Sequence, residues 1–157
     1  MGGRSRDLPT CDYVLIVFDK DTDKYVEEIV QQLWNETDAE TFVSSPCFEY
    51  FFCLHFSMIR PSANSLSDLL PIVRNLEGFG NYSKKTDAVP IALLSTKQTE
   101  AVENAAKSRK DCYDEGSNGP YTEIDLLFEA VTIAKSRGLE SLRDSLALRN
   151  ERRHQNH

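Results

Sequence analysis

Apolar positions along the chain follow two rhythms. The first is an unbroken run, "YVLIVFD" (residues 13–19), rich in β-branched and aromatic residues and closed by an acid. A continuous apolar run of that length predicts a buried, parallel strand. After the turn "KDTDK", the segment "DKYVEEIVQQLWNE" changes rhythm, with Val26, Ile29, Val30 and Leu33 at helical spacing. Asp23 stands where an N-cap belongs. "ETFVSS" is again short and β-prone, so strand, helix and strand form a βαβ unit with its two strands parallel. Ser45 and Pro46 then read as cap and first helical residue, and "PCFEYFFCLHF" as a buried helix of about three turns.

Further on, "SANSLSDLLPIVRNL" has a polar-capped start, with Pro71 expected to interrupt the helix. "EGFGNYSKKTDAVP" is a loop broken by Gly78 and Gly80. From Ser95 to Lys110 the pattern is helical but mostly polar, which predicts a surface helix. "DEGSNGP" is a second loop. "YTEIDLLFEAVTIAKSRG" predicts an amphipathic helix ending at Gly138, with Lys135 and Arg137 in its last turn. "LESLRDSLALRNERRHQNH" reads as a short helix and a charged tail. The expected organisation is a loose tail over 1–11, one domain over 12–148 and a polar tail over 149–157, with no internal repeat.

Composition narrows the class. The 157 residues suit one domain with a real core. No apolar run approaches the ~20 residues of a membrane span. The N-terminus lacks the apolar centre of a secretory signal, and Arg6 stands where myristoylation needs Ser or Thr. The cytoplasm is therefore the expected location, with no membrane partner. No pair among Cys11, Cys47, Cys53 and Cys112 has C-x-x-C spacing, which argues against a zinc site. Cys47 and Cys53 read as small core residues. A net charge of −7 argues against a broad basic groove, so a nucleic-acid enzyme here would need a partner or metal ions to offset phosphate repulsion.

The candidate chemistry is acidic. Asp19 closes the first strand and Asp21 follows in D-x-D spacing, at the strand end where open α/β sheets gather ligands. Hard cations such as Mg²⁺ take oxygen ligands and often use one or two carboxylates. A solvated acidic turn is the plain alternative, and Asp23 has a competing job as a cap. Glu49 shifts the balance, because it lies in an apolar run among Phe48, Phe51 and Phe52, where an acid is costly unless paired, protonated or bound to metal. A parallel sheet puts the start of its helix at the same edge as Asp19 and Asp21. The alternative for Glu49 is to complement the helix N-terminus. His55 falls on another helical face and reads as a hydrogen-bonded core histidine. Lys84 and Lys85, after Tyr82, are candidates for phosphate contact or simply a solvated loop.

"VFDKD", "SSPCFEYFFCLHF", "NYSKK" and "GPYTEIDLLFEAV" resemble, in order and spacing, the RloB-like family, from about Tyr13 to Val131. That group includes the smaller component of AbiL-type abortive-infection systems. The resemblance implies an α/β, Toprim-like three-layer domain, a small parallel sheet flanked by helices, with a divalent-metal site. It carries the family's D-x-D onto Asp19 and Asp21 and its P-C-F-E glutamate onto Glu49. Its H-F falls on His55 and Phe56, its Y-x-K on Tyr82 and Lys84, and its late threonine on Thr122. It further implies Mg²⁺ or Mn²⁺ at Asp19, Asp21 and Glu49, catalytic roles for Glu49 and Lys84, an ATPase partner, and nuclease action against phage. An oligomer is compatible with it. Two departures stand out. Ser45 replaces the family's usual Asn, and the E-G-x-x-T-E motif of a first strand has no counterpart, since only residues 1–12 precede the D-x-D strand. The expectation is thus an N-terminally truncated member, either a metal-dependent nuclease component or a non-catalytic remnant or regulatory subunit. A phosphate module of another type ranks last, for want of a Gly-rich loop.

Overall fold

The structure, a computed structural model, describes residues 13–85, 88–117 and 119–155, with side chains as far as Glu151. The tail expected over 1–11, with Cys11, lies outside the described residues. The elements are β1 (Leu15–Asp19), α1 (Val26–Glu36), β2 (Glu40–Ser45), α2 (Glu49–Leu54), α3 (Leu66–Arg74), α4 (Ile91–Thr96), α5 (Gln98–Asp114), β3 (Tyr121–Thr122), α6 (Ile124–Arg137) and α7 (Leu139–Gln155).

The β1–α1–β2 unit forms as its apolar rhythm predicts, but β1 is not the buried strand expected: Val17 and Asp19 are exposed and the rest of the strand is only half-buried, because β1 lies at the edge of the described sheet. β1 and β2 are parallel, with Asp19 opposite Ser44. β2 is the middle strand of the described sheet, in the order β1-β2-β3. Its side chains alternate between faces. Phe42 packs with Ala130, Leu142 and Leu146 of α6 and α7, whereas Val43 packs with Val26 and Val30 of α1. Helices thus cover both faces of a small α/β sheet.

The expected all-parallel sheet is mixed. β3 runs antiparallel to β2, with Thr122 opposite Ser44 and Tyr121 opposite Ser45. Residues 121 and 122 had read as the start of a helix, because two residues are too few to show a strand's period. The helix itself starts at Ile124 and ends where expected, at Gly138, whose φ of 85° suits glycine.

The largest core lies beyond the strand ends, where α2, α3, α4 and α5 enclose Tyr50, Leu54, Leu69, Val73 and Phe79. Several local expectations are corrected there. Ser45 does not cap a helix, because its backbone stays in the β2–β3 ladder, and α2 begins only at Glu49, after Phe48. Pro46 lies in the turn before it, and the helix has six residues rather than three turns. Asp23 does not cap α1; its carboxylate accepts from Tyr25 N–H at 2.8 Å in the preceding turn. Pro71 sits inside α3 without breaking it. Burial of Leu69 and Val73 on either side, and a reciprocal Ser65–Asp68 cap, offset the lost backbone bond.

α5 is not a pure surface helix. A stripe of Ala101, Ala105, Ser108 and Cys112 is buried, and its residues are too small and polar to stand out as a hydrophobic face. α7 runs to Gln155 where a tail was expected from residue 149. Leu142 and Leu146 bury its near face. Arg149 follows on that face, donating to Thr41 O at 2.7 Å and Glu123 Oε2 at 3.1 Å, with its guanidinium 4.2 Å from the Phe42 ring centroid.

Candidate functional site

Three stretches far apart in sequence meet at the C-terminal ends of β1 and β2. β1 delivers Asp19, the start of α2 delivers Glu49, and the loop after α3 delivers Tyr82 and Lys84. A helix start leaves backbone N–H groups unpaired, and Phe48 N–H is satisfied from outside the helix by Asp19 Oδ1 at 2.8 Å. Asp19 Oδ2 accepts from Lys84 Nζ at 3.1 Å. The same ammonium lies 3.7 Å from Glu49 Oε1. That oxygen in turn accepts from Tyr82 Oη at 2.9 Å. Glu49 is only 2 % exposed, and its second oxygen, Oε2, has no hydrogen-bond partner among the described residues.

Packing fixes the loop that carries Tyr82 and Lys84. The Tyr82 ring meets Phe52 and Phe79 edge-on, with centroids 5.6 and 5.7 Å away. Arg74 Nε donates to Tyr82 O at 3.0 Å. Burial, and then the Glu49 carboxylate, push the Tyr82 phenol well above its ordinary range, so it stays a donor. The Cys47 thiol is pushed up in the same order, by burial and by the neighbouring Glu49. At Lys84 partial burial acts to lower the pKa, but the Asp19 hydrogen bond and the charges of Glu49 and Asp19 outweigh it and the net shift is upward. Lys84 is therefore a fixed positive charge between two acids, with half of its side chain still open to solvent.

The expected site residues divide. Asp19, Glu49 and Lys84 come together. Asp21 is placed differently: it is exposed, its φ is +41°, and its N–H binds Pro46 O at 2.5 Å, so its visible role is to shape the turn. Lys85 is exposed. Among the described residues no group of three or more His, Cys, Asp or Glu side chains is arranged to hold a metal ion. His55 is the core histidine expected. It is buried, and its Nδ1 donates to Phe51 O at 2.9 Å, because a carbonyl can only accept. Thr122 is buried beside the strand ends, with its hydroxyl 2.7 Å from Ser44 Oγ.

Tyr82 as the partner of Glu49, and Cys47 as its neighbour, were not foreseen from the residues. A hydroxyl beside an acid in space leaves no trace in local periodicity; the only available signal was the spacing of Tyr82 and Lys84.

Carboxylate oxygens of Asp19 and Glu49, one of them buried and unpaired, are the groups here that could serve a hard cation. Fold and site together define an α/β protein with an acid–lysine cluster at the C-terminal ends of two parallel strands. The family model described as RloB-like protein matches residues 4–131, and the chain belongs to that family. The match ends at Val131, as the resemblance did, but starts nine residues before Tyr13. No curated protein and no solved structure matches the chain significantly. Among the described residues, no helix is long and apolar enough to cross a membrane.

Proposed function

We propose that this chain is a divalent-metal-dependent nuclease component of a phage-defence system, with a Toprim-like domain and an ATPase partner. The observation that carries the reading is Glu49: a buried carboxylate with one oxygen unpaired, facing Asp19 across a single lysine. A buried carboxylate in that condition is costly unless something further satisfies it.

On this reading Asp19 and Glu49 would hold Mg²⁺ or Mn²⁺, with Asp21 as an outer carboxylate at the exposed rim. A cation there supplies Lewis acidity toward a phosphoryl oxygen. The chain's own residues do the remaining work. Tyr82 holds the Glu49 carboxyl in one orientation, Phe48 N–H does the same for Asp19, and Lys84 donates to a phosphate oxygen. Burial of Glu49 among aromatic rings keeps bulk water from its inner oxygen.

A second reading has its own support. Only two of the three expected acids converge, which suits a regulatory subunit or non-catalytic remnant that keeps the shape and the ATPase partner. Titration of Mn²⁺ by calorimetry into the wild type and Glu49→Gln separates the two. Saturable binding lost in the variant, followed by metal-dependent cleavage of nucleic acid, sustains the nuclease. A folded chain that binds no Mn²⁺, alone or with nucleic acid, overturns it in favour of the regulatory subunit.

A further inference from the structure

Lys84 holds the place a cation would need. Its ammonium hydrogen-bonds Asp19 at 3.1 Å and stands 3.7 Å from Glu49. These are the two converging carboxylates, and both distances are those of ion pairs. A divalent cation bound to the same oxygens would face this positive charge at close range, where like charges repel strongly in a partly buried site. The lysine can move, because half of its side chain is exposed and it rides on a loop rather than a helix or strand. Tyr82, two residues earlier, is anchored by ring packing and by Arg74, so the swing would be confined to the lysine side chain.

We infer that Lys84 is a positioning residue that couples divalent-metal binding to a phosphate ester: it neutralises Asp19 and Glu49 in the free protein and leaves them for the phosphate when substrate arrives. The inference rests on the metal-site reading above and adds a mechanism of selectivity to it. By linkage, an anion that draws Lys84 away strengthens metal binding, and the metal strengthens anion binding by the same factor. The free chain would therefore hold metal weakly and acquire it together with substrate. Unpaired Glu49 Oε2 fits this arrangement, because a lysine beside Oε1 leaves the second oxygen unsatisfied until the cation replaces it.

The test is an Mn²⁺ titration followed by electron paramagnetic resonance of the free ion. It uses the full chain with and without a phosphorothioate-linked dithymidine as the phosphate probe. Wild type, Lys84→Met, Lys84→Arg and Glu49→Gln are compared after circular dichroism shows each to be folded. Without probe, Lys84→Met should bind Mn²⁺ about tenfold more tightly than wild type, the size expected from removing one nearby charge. The probe should tighten binding in the wild type and in Lys84→Arg, which keeps the charge, and do nothing in Lys84→Met. Equal or weaker Mn²⁺ binding by Lys84→Met, with binding still lost in Glu49→Gln, overturns the coupling and leaves the metal site standing. Absence of Mn²⁺ binding in all forms, with probe present, overturns both.

Discussion

β1 and β2 lie side by side in one sheet and end at the same acid–lysine cluster, yet their residues and surroundings differ. Every residue of β2 is buried, and Phe42 is wholly so, between helices on two faces. β1 has no fully buried residue, and Val17, paired with Phe42 in the ladder, is 43 % exposed. The contrast continues into the turns. β2 leads to Glu49, locked by Tyr82, whereas β1 leads to Asp19 and an exposed Asp21. One side of the cluster is therefore set by core packing and the other by a thin, solvated edge. Glu49 is thus held inside the core, and Asp19 at a rim that solvent reaches.

Mutation can break the comparison at several levels. The largest expected effect is Phe42→Ala, about 3–5 kcal/mol of lost stability, against about half a kcal/mol for Val17→Ala. Urea midpoints measured on both variants check it, and equal losses would mean that β1 is covered in solution. Next comes Arg149→Ala, which removes the guanidinium from buried Glu40, from Thr41 O and from Glu123; about 3 kcal/mol is expected in the same assay. Tyr82→Phe removes a hydrogen bond on Glu49 Oε1 and should cost about 1–2 kcal/mol while weakening Mn²⁺ binding.

A pH scan probes the packed side through its buried phenol and thiol. Burial pushes the Tyr50 phenol up to about 12, against an opposing hydrogen bond from Ser108, and burial pushes the Cys53 thiol to about 12 as well. In each case the fold favours the neutral form. Its contribution is whole below the unfolded pKa, near 10.0 for Tyr50 and 9.0 for Cys53, and is lost as pH rises toward about 12. Unfolding free energy should accordingly fall between pH 9 and 12, less steeply in Tyr50→Phe. The smallest effect is on the exposed side. Asp21→Gly relieves a left-handed backbone position and should stabilise the chain by a few tenths of a kcal/mol. If Asp21 is an outer ligand, Mn²⁺ affinity falls in the same variant; if it only shapes the turn, affinity is unchanged.

Sequence pattern reached the parts of this molecule that depend on strong local rhythm. β1, α1 and β2, their parallel pairing and the end of α6 all follow from apolar spacing and a terminal glycine. The meeting of Glu49 with Asp19 was legible too, because a parallel pair must bring β1's end and the residues after β2 to one edge. What escaped was decided by distant parts of the chain. Ser45 looks like a cap until β3 claims its backbone, and Pro71 looks like a break until Leu69 and Val73 are buried around it. The stripe on α5 is made of alanine, serine and cysteine, which carry little hydrophobic signal. Asp21 had the right spacing for a ligand, but spacing does not say which way a turn sends its side chain.

Arg149 has a consequence for how the chain comes to be folded. It reaches β2 across 108 positions of sequence to bind Thr41 O, and Asn150 reaches Glu40 across 110. Contacts so distant must wait for a large loop to close, and they slow folding accordingly. On a ribosome, β2 is made before α7 and cannot gain its last polar partners until residues 149 and 150 have emerged. Until then Glu40 is without its arginine and Phe42 without its covering helix, and the nascent chain presents just the kind of unfinished sheet that chaperones bind.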